Sequence, residues 1–232
     1  MYVYGKNVAN EILKDQTEIK KAIVSNNFSD KDILRRLNNL NIRVEYRKPF
    51  ELDRLVDGNH QGIILEVKDY EYADIDELLV DESPLLVILD HLEDPHNFGA
   101  IIRTCESAGV DGIIIPKNRS VDVNSTVMKT STGALNHMKI TQVTNLKNTI
   151  DYLKKQGFWI VGTDMEGTDY TSIDYKTKIA IVIGNEGKGI SRLVGENCDY
   201  LAKIPMNGTV NSLNASVACG IFLSEITRSR RV

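Results

Sequence analysis

Between residues 85 and 204, short runs of consecutive apolar residues alternate with stretches whose apolar residues recur every three or four positions. LLVIL, GIIIP, MKITQV, FWIVGT, IAIVIG and YLAKIP have the length and β-branched content of buried strands. Between them, residues 99–109, a stretch around 125–130 and residues 146–156 repeat at helical spacing. A long amphipathic helix is predicted over about 214–230, with Val217, Ala218, Ile221 and Phe222 as its apolar face. Strands alternating with helices predict an α/β fold built on a mostly parallel sheet covered on both faces. Earlier in the chain the pattern is shorter. Residues 8–13 read as a helix, KKAIVS as a strand, residues 30–40 as a helix with Ile33, Leu34, Leu37 and Leu40 inward, and IRVEY and GIILEV as strands. The chain therefore divides into a small α/β domain over 1–68 and a larger one over 85–232.

The formal net charge of −4 speaks against a nucleic-acid partner until it is divided along the chain. Residues 1–68 carry 12 Lys and Arg against 10 Asp and Glu, and residues 85–232 carry 16 against 15. Residues 69–84 hold seven acids (Asp69, Glu71, Asp74, Asp76, Glu77, Asp81, Glu82) and no Lys or Arg. The acidity sits in one short segment, which reads as a linker ending at Pro84. Neither flank is acidic enough to repel a polyanion. No run approaches the roughly 20 apolar residues of a membrane span, and the N-terminus MYVYGKNVANEILKDQ has no signal-peptide core, so no membrane partner is expected. Cys105, Cys198 and Cys219 are odd in number and far apart, which suits a reducing cytoplasm. His91 and His96 lack a third ligand nearby, so they read as solvated loop histidines and no metal site is expected.

Three loops after strands are rich in Gly, Asn and Ser, where open parallel sheets collect ligands. In LDHLEDPHNFGAIIRTCESAG, Asn97 is a candidate helix cap, Gly99 permits close approach, and Arg103 lies one turn beyond Gly99. In IVIGNEGKGIS, a strand runs into Gly184, Gly187 and Gly189 with Glu186 and Lys188 between them. That spacing is neither the dinucleotide fingerprint nor a P-loop. In KIPMNGTVNSLNASVACGIFLSEITR, a polar loop leads through Ser212 and Leu213 to Asn214, a candidate cap for the last helix. Read alone, the first and third loops are capped helices, and the second is as much a flexible Gly turn as a ligand loop.

Taken in order, the three loops resemble the motifs of the SpoU (TrmH-like) family of RNA 2′-O-ribose methyltransferases. NFGAIIR carries Asn97, Gly99 and Arg103 at the family's spacing, IGNEGKGI is similar to the second motif, and IPMNGTVNSLNASVA to the third. The resemblance spans essentially all of residues 85–232. YGKNVANEIL together with NHQGIILEV looks like the family's small substrate-binding domain. The combination is similar to the bacterial members that methylate a guanosine of 23S ribosomal RNA.

The resemblance implies a deep trefoil knot in the C-terminal region, a connection too rare to infer from periodicity. It also implies a homodimer whose cofactor pocket is formed by the second and third motifs. The cofactor would be S-adenosylmethionine, held at Gly184, Ile204 and Leu213 largely by backbone groups, and the partner RNA, foremost ribosomal RNA, rather than DNA. The catalytic set carried over is Arg103, Asn97, Glu186, Ser212 and Asn214. The family assigns activation of the ribose hydroxyl to Arg103, yet a guanidinium stays protonated with a pKa above about 12. Either it is transiently neutral while a nearby phosphate or the cofactor charge assists, or it stays charged, stabilises the developing alkoxide and grips the adjacent phosphate. The second version is energetically favoured. Phe98 is the one aromatic in segments 97–103, 184–190 and 204–218, which suits a hydroxyl better than an extruded base. The competing readings are another RNA target within the family and a non-catalytic ribosome-assembly protein. The intact motif residues argue against the latter.

Overall fold

A computed structural model describes residues 1–14, 18–209 and 212–231. Val210 and Asn211 of the third loop lie outside the described residues. The chain forms two compact units, one of residues 1–71 with 123–136, the other of 72–122 with the residues from 137 onward.

In the first unit β1 (Tyr2–Tyr4), α1 (Lys6–Ile12), β2 (Ile19–Ser25), α2 (Lys31–Asn39), β3 (Val44–Arg47), α3 (Pro49–Asp53) and β4 (Ile63–Val67) follow in order. The sheet runs β1-β4-β2-β3, with β2 and β3 parallel and the other pairs antiparallel. Asp30 accepts the Ile33 amide at 3.3 Å and starts α2. Helical repetition then turns Ile33 and Leu37 inward, whereas Leu40, expected on that face, falls beyond the last turn and is exposed. These side chains pack with Val8, Ala9 and Ile12 against Ala22, Val24 and Leu65 on one face of the sheet. Leu52 of α3 covers Ile23 and Ile64 on the other. The sequence pattern does not show β1 or α3, because three and five residues are too few to display a period.

The second unit contains β5 (Leu85–Asp90), α4 (Pro95–Ala108) and β6 (Gly112–Pro116). The chain then contributes α5 (Ser125–Thr130), capped by Asn124, to the first unit, where Met128 packs on its core. It continues with β7 (Ile140–Val143), α6 (Leu146–Lys155), β8 (Trp159–Asp169), β9 (Ile179–Gly184), α7 (Arg192–Gly195), β10 (Tyr200–Lys203) and α8 (Ala215–Arg230). The sheet order is β10-β8-β9-β5-β6-β7, and every described pairing is parallel. LLVILD and GIIIP are buried throughout and IAIVIG up to Gly184, as strands covered on both faces must be.

Three expectations change here. The acidic segment 69–84 is not a free linker. Its first part ties back within the first unit through the Met1 ammonium to Asp69 (2.6 Å) and Lys68 to Glu71 (2.9 Å). Its remainder lies along β7: Ala73 donates to the Ile140 carbonyl (2.9 Å), Thr141 to that of Ala73 (3.0 Å), and Lys139 to that of Glu77 (2.8 Å). Leu78, inside a short 3-10 helix, is buried against Gly112, where an added Cβ would fall 2.2 Å from Leu78 Cγ. The larger unit therefore begins near Tyr72, and the two-domain division at 68 and 85 is also crossed by residues 123–136. The third change is the face of α8. Ala215, Cys219, Phe222, Leu223 and Ile226 point inward, while Val217 is 50% exposed.

At the amino ends of β5 and β6, Asp111 accepts the Leu85 amide at 2.7 Å, beside the carboxyl of Asp81. Burial and that neighbour raise the Asp111 pKa to about 6. The folded state thus holds this proton more tightly than the unfolded chain, whose aspartates titrate near about 3.9. The stability Asp111 contributes is complete below the unfolded value and is lost as pH rises through about 6. Asp111→Asn keeps the acceptor for Leu85 and removes the charge. It should melt higher than the parent at about pH 7.5, with the gap shrinking by about pH 4.5; a gap independent of pH would contradict this. Leu78→Ala should cost about 2–4 kcal/mol in denaturant unfolding, as for a filled core position. A loss below about 0.5 kcal/mol would restore the linker reading.

Candidate active site

All strands of the larger sheet point the same way, so the loops after β5, β9 and β10 leave one edge. β5 ends in Asp90, a carboxylate only 1% exposed. Burying a charge is costly unless it is fully bonded. Asp90 accepts the Ser191 amide at 2.6 Å and faces His91 Nδ1 at 2.5 Å. His91, read above as a solvated loop residue, is therefore held by its ring. Its backbone is left-handed at φ 58°, a strained conformation for a residue with a side chain. Asn185 Nδ2 donates to the His91 carbonyl at 3.0 Å, while Asn185 Oδ1 accepts the Gly187 amide at 3.0 Å. Asn185 and Gly189 exchange backbone hydrogen bonds of 3.0 and 2.8 Å. The second loop is thus a tight reverse turn seated on the end of β5.

Gly184 has a definite reason to lack a side chain. A Cβ there would lie 2.2 Å from the Gly189 carbonyl carbon and 2.5 Å from the Ile190 nitrogen. What approaches it closely is the loop's own backbone.

The first and third loops meet the second through side chains. Asn97 is not the helix cap: Asp94 takes that position, accepting the His96 amide at 2.9 Å, with Pro95 fixing the first turn. Asn97 is left free to reach sideways. Its Nδ2 donates to Glu186 Oε1 at 2.7 Å, and its Oδ1 accepts from Asn214 Nδ2 at 2.9 Å. Asn214 caps α8 as expected, its Oδ1 accepting the Ser216 amide at 2.9 Å and the Ser216 hydroxyl at 2.6 Å. The run Ser216 to Asn214 to Asn97 to Glu186 satisfies each amide as both donor and acceptor, so the bonds polarise one another in one direction. Behind it α4 packs on α8 with Cys105 and Cys219 buried between them. Burial and the neighbouring Cys219 raise the pKa of Cys105, and burial takes that of Cys198 to about 12. Such groups stay thiols and are poor nucleophiles.

Arg103 is exposed on α4, one turn beyond the buried Gly99. No ion pair or hydrogen bond engages its guanidinium among the described residues. Ile204 follows β10 directly and Leu213 immediately precedes the Asn214 cap, both half-buried.

A family model described as SpoU rRNA Methylase matches residues 84–224, and another, described as RNA 2′-O ribose methyltransferase substrate binding, matches residues 2–73. The chain belongs to the SpoU rRNA methylase family. YacO of Bacillus subtilis, assigned to the TrmH family of tRNA/rRNA methyltransferases, is 43% identical over 99% of this chain and 96% of its own length. A Staphylococcus saprophyticus relative of the same assignment is 44% identical over 98% of this chain and 95% of its own. Among solved structures, the SpoU methyltransferase AviRb from Streptomyces viridochromogenes, in complex with AdoMet, superposes with a TM-score of 0.85 at 25% identity. That match covers 100% of this chain and 90% of AviRb. An AdoMet-bound rRNA methyltransferase from Sinorhizobium meliloti gives 0.77 at 25% identity, over 98% of this chain and 86% of its own.

Of the residues matching SpoU motifs, the structure joins Asn97, Glu186 and Asn214 directly. It leaves Arg103 unpartnered and Ser212 exposed, without a hydrogen bond to the others among the described residues. Sequence reasoning missed Asp90 and the clamp made by Asn185. The signal for Asp90 was present: one carboxylate closes a strand whose other five residues are all apolar. Asp90→Ala removes both the acceptor of the Ser191 amide and the partner of the His91 ring. It should lower stability by about 1–3 kcal/mol and speed hydrogen exchange at the Ser191 amide. Exchange there at the parental rate would show that Asp90 does not hold the loop.

Proposed function

We propose that this protein transfers a methyl group from S-adenosylmethionine to a ribose 2′-hydroxyl of RNA, at a guanosine of 23S ribosomal RNA, in the cytoplasm. The observation that carries this reading is the hydrogen-bonded run Glu186–Asn97–Asn214. It ties all three motif loops together, on the helix that also presents a free Arg103. The family membership, the AdoMet held by AviRb and the RNA substrate-binding match of residues 2–73 support it.

Gly184, Ile204 and Leu213 would hold the cofactor, and their surroundings fit. They stand where β9 and β10 end and α8 begins, positions from which backbone groups could meet a ligand. When bound, S-adenosylmethionine supplies an electrophilic sulfonium methyl. The chain's own residues must present the attacking oxygen in line and lower the cost of its negative charge. Arg103, charged and unencumbered, stabilises the developing alkoxide and grips the neighbouring phosphate in a bidentate fork. It would not need to take the proton: the 2′-hydroxyl would lose it to water as the new C–O bond forms, and the donor would leave as the neutral thioether. Asn97, Glu186 and Asn214 hold the loops in register, and Ser212 lies on the substrate side. The proposal includes the family's trefoil knot and a homodimer. The return of α8 from the β10 edge to pack on α4 favours the first, and Val217, exposed near the start of α8, suits a dimer contact.

Arg103→Ala should lower kcat by at least about 100-fold while donor binding, measured by calorimetry, stays within about twofold. Arg103→Lys should recover only part of the loss, since an ammonium lacks the planar fork. Near-parental turnover by Arg103→Ala would remove the role assigned to it.

A further inference from the structure

The first unit carries a feature that the chemistry of the larger unit does not explain. Among its described residues, the large aromatics left in solvent are Tyr46 and Phe50, 59% and 51% exposed, only four positions apart at the end of β3 and the start of α3. The Arg54 guanidinium lies over the Phe50 ring, 5.5 Å from its centroid. Three acids share this segment, and each is already engaged. Glu45 is held by Arg47 (3.0 Å), Arg43 (3.2 Å) and Lys21 (3.7 Å), which lower its pKa. Glu51 accepts the Lys48 backbone amide at 2.9 Å, and Asp53 lies 3.0 Å from His60 Nε2. Lys48 and Arg54, by contrast, have no carboxylate partner among the described residues. Two unpaired cations therefore flank an exposed ring in a chain whose net charge is negative.

We propose that Tyr46, Lys48, Phe50 and Arg54 form the surface on which the first unit takes unpaired nucleotides of its RNA. A flat ring with a guanidinium over one face offers its other face as a stacking platform for any base, and free ammonium and guanidinium groups suit the phosphates on either side. β3 is an edge strand and α3 has only five residues, so a splayed strand can reach the rings without disturbing the core beneath. Leu52, two residues on, points inward and anchors the platform against Ile23 and Ile64. This surface rests on the RNA methyltransferase reading above and specifies which part of the molecule meets the substrate.

The test pairs methyl transfer to a 23S ribosomal RNA transcript with binding of a fluorescent oligouridylate, both on the full chain. Phe50→Ala should raise the RNA KM and the oligouridylate Kd by about tenfold, leaving kcat and donor binding unchanged. Phe50→Trp should restore both. Lys48→Ala and Arg54→Ala should each flatten the salt dependence of binding by about one phosphate contact. Leu40→Ala, at a residue 55% exposed elsewhere in the unit, serves as the control and should change nothing. Methyl transfer whose KM ignores Phe50→Ala would overturn this surface and leave the reaction standing. Oligouridylate binding weakened by these substitutions, with no methyl transfer by the parent, would overturn the reaction and leave the surface standing.

Discussion

Three side chains, Asn214, Asn97 and Glu186, pass a hydrogen bond from one to the next across segments 117 and 89 residues apart. Two parallel strands and a helix end near one another because the sheet is parallel, but that alone leaves three loops free to move. The amide run converts them into one surface. It can form only because other residues take over the neighbouring duties. Asp94 caps α4, so Asn97 need not, and Asp90 pins Ser191 and His91, so the turn that carries Glu186 is seated. Gly184 completes the arrangement, since any side chain there would displace the turn.

This hierarchy explains the chemistry better than any single residue does. Arg103 stands on the same helix as Asn97 yet joins none of these bonds, which leaves a permanent cation without a partner among the described residues and available to an oxyanion or phosphate. Cys105 behind the amide run is buried, and burial keeps it a thiol. On the proposed function the site would act by electrostatics and positioning, in a step where an oxygen must be held in line and its charge accommodated.

Much of this was legible in the sequence, for reasons that differ by element. Buried parallel strands such as LLVIL and IAIVIG announce themselves as unbroken apolar runs, and the three Gly- and Asn-rich loops fall directly after strands. Asn214 was readable as a cap because a polar residue precedes a long helical repeat. The role of Asn97 was not, because an Asn before a helical repeat reads as its cap, and the structure instead starts the helix at Pro95 with Asp94 as the cap. The acidic segment misled for a related reason. Its charges describe the solvent side, while Leu78 and the backbone of Ala73, which decide its placement, are inconspicuous in sequence. The inward face of α8 shifted to include Cys219 and Leu223 because α4 packs on it, information that no local repeat contains. The seven acids of residues 69–84 also mask the cations of the first unit, so the net charge hid the platform around Phe50.

The central claim is that this arrangement of amides and one free guanidinium serves a ribose hydroxyl. Base methylation calls for a different site, commonly one in which an extruded base stacks on aromatic groups, and the motif loops hold only Phe98, which is buried. The most direct measurement is to incubate the protein with methyl-labelled S-adenosylmethionine and ribosomal RNA, digest to nucleosides, and fragment the labelled product by mass spectrometry. The account predicts that the label departs with the sugar and leaves an unmethylated guanine. Label retained on the base would contradict it.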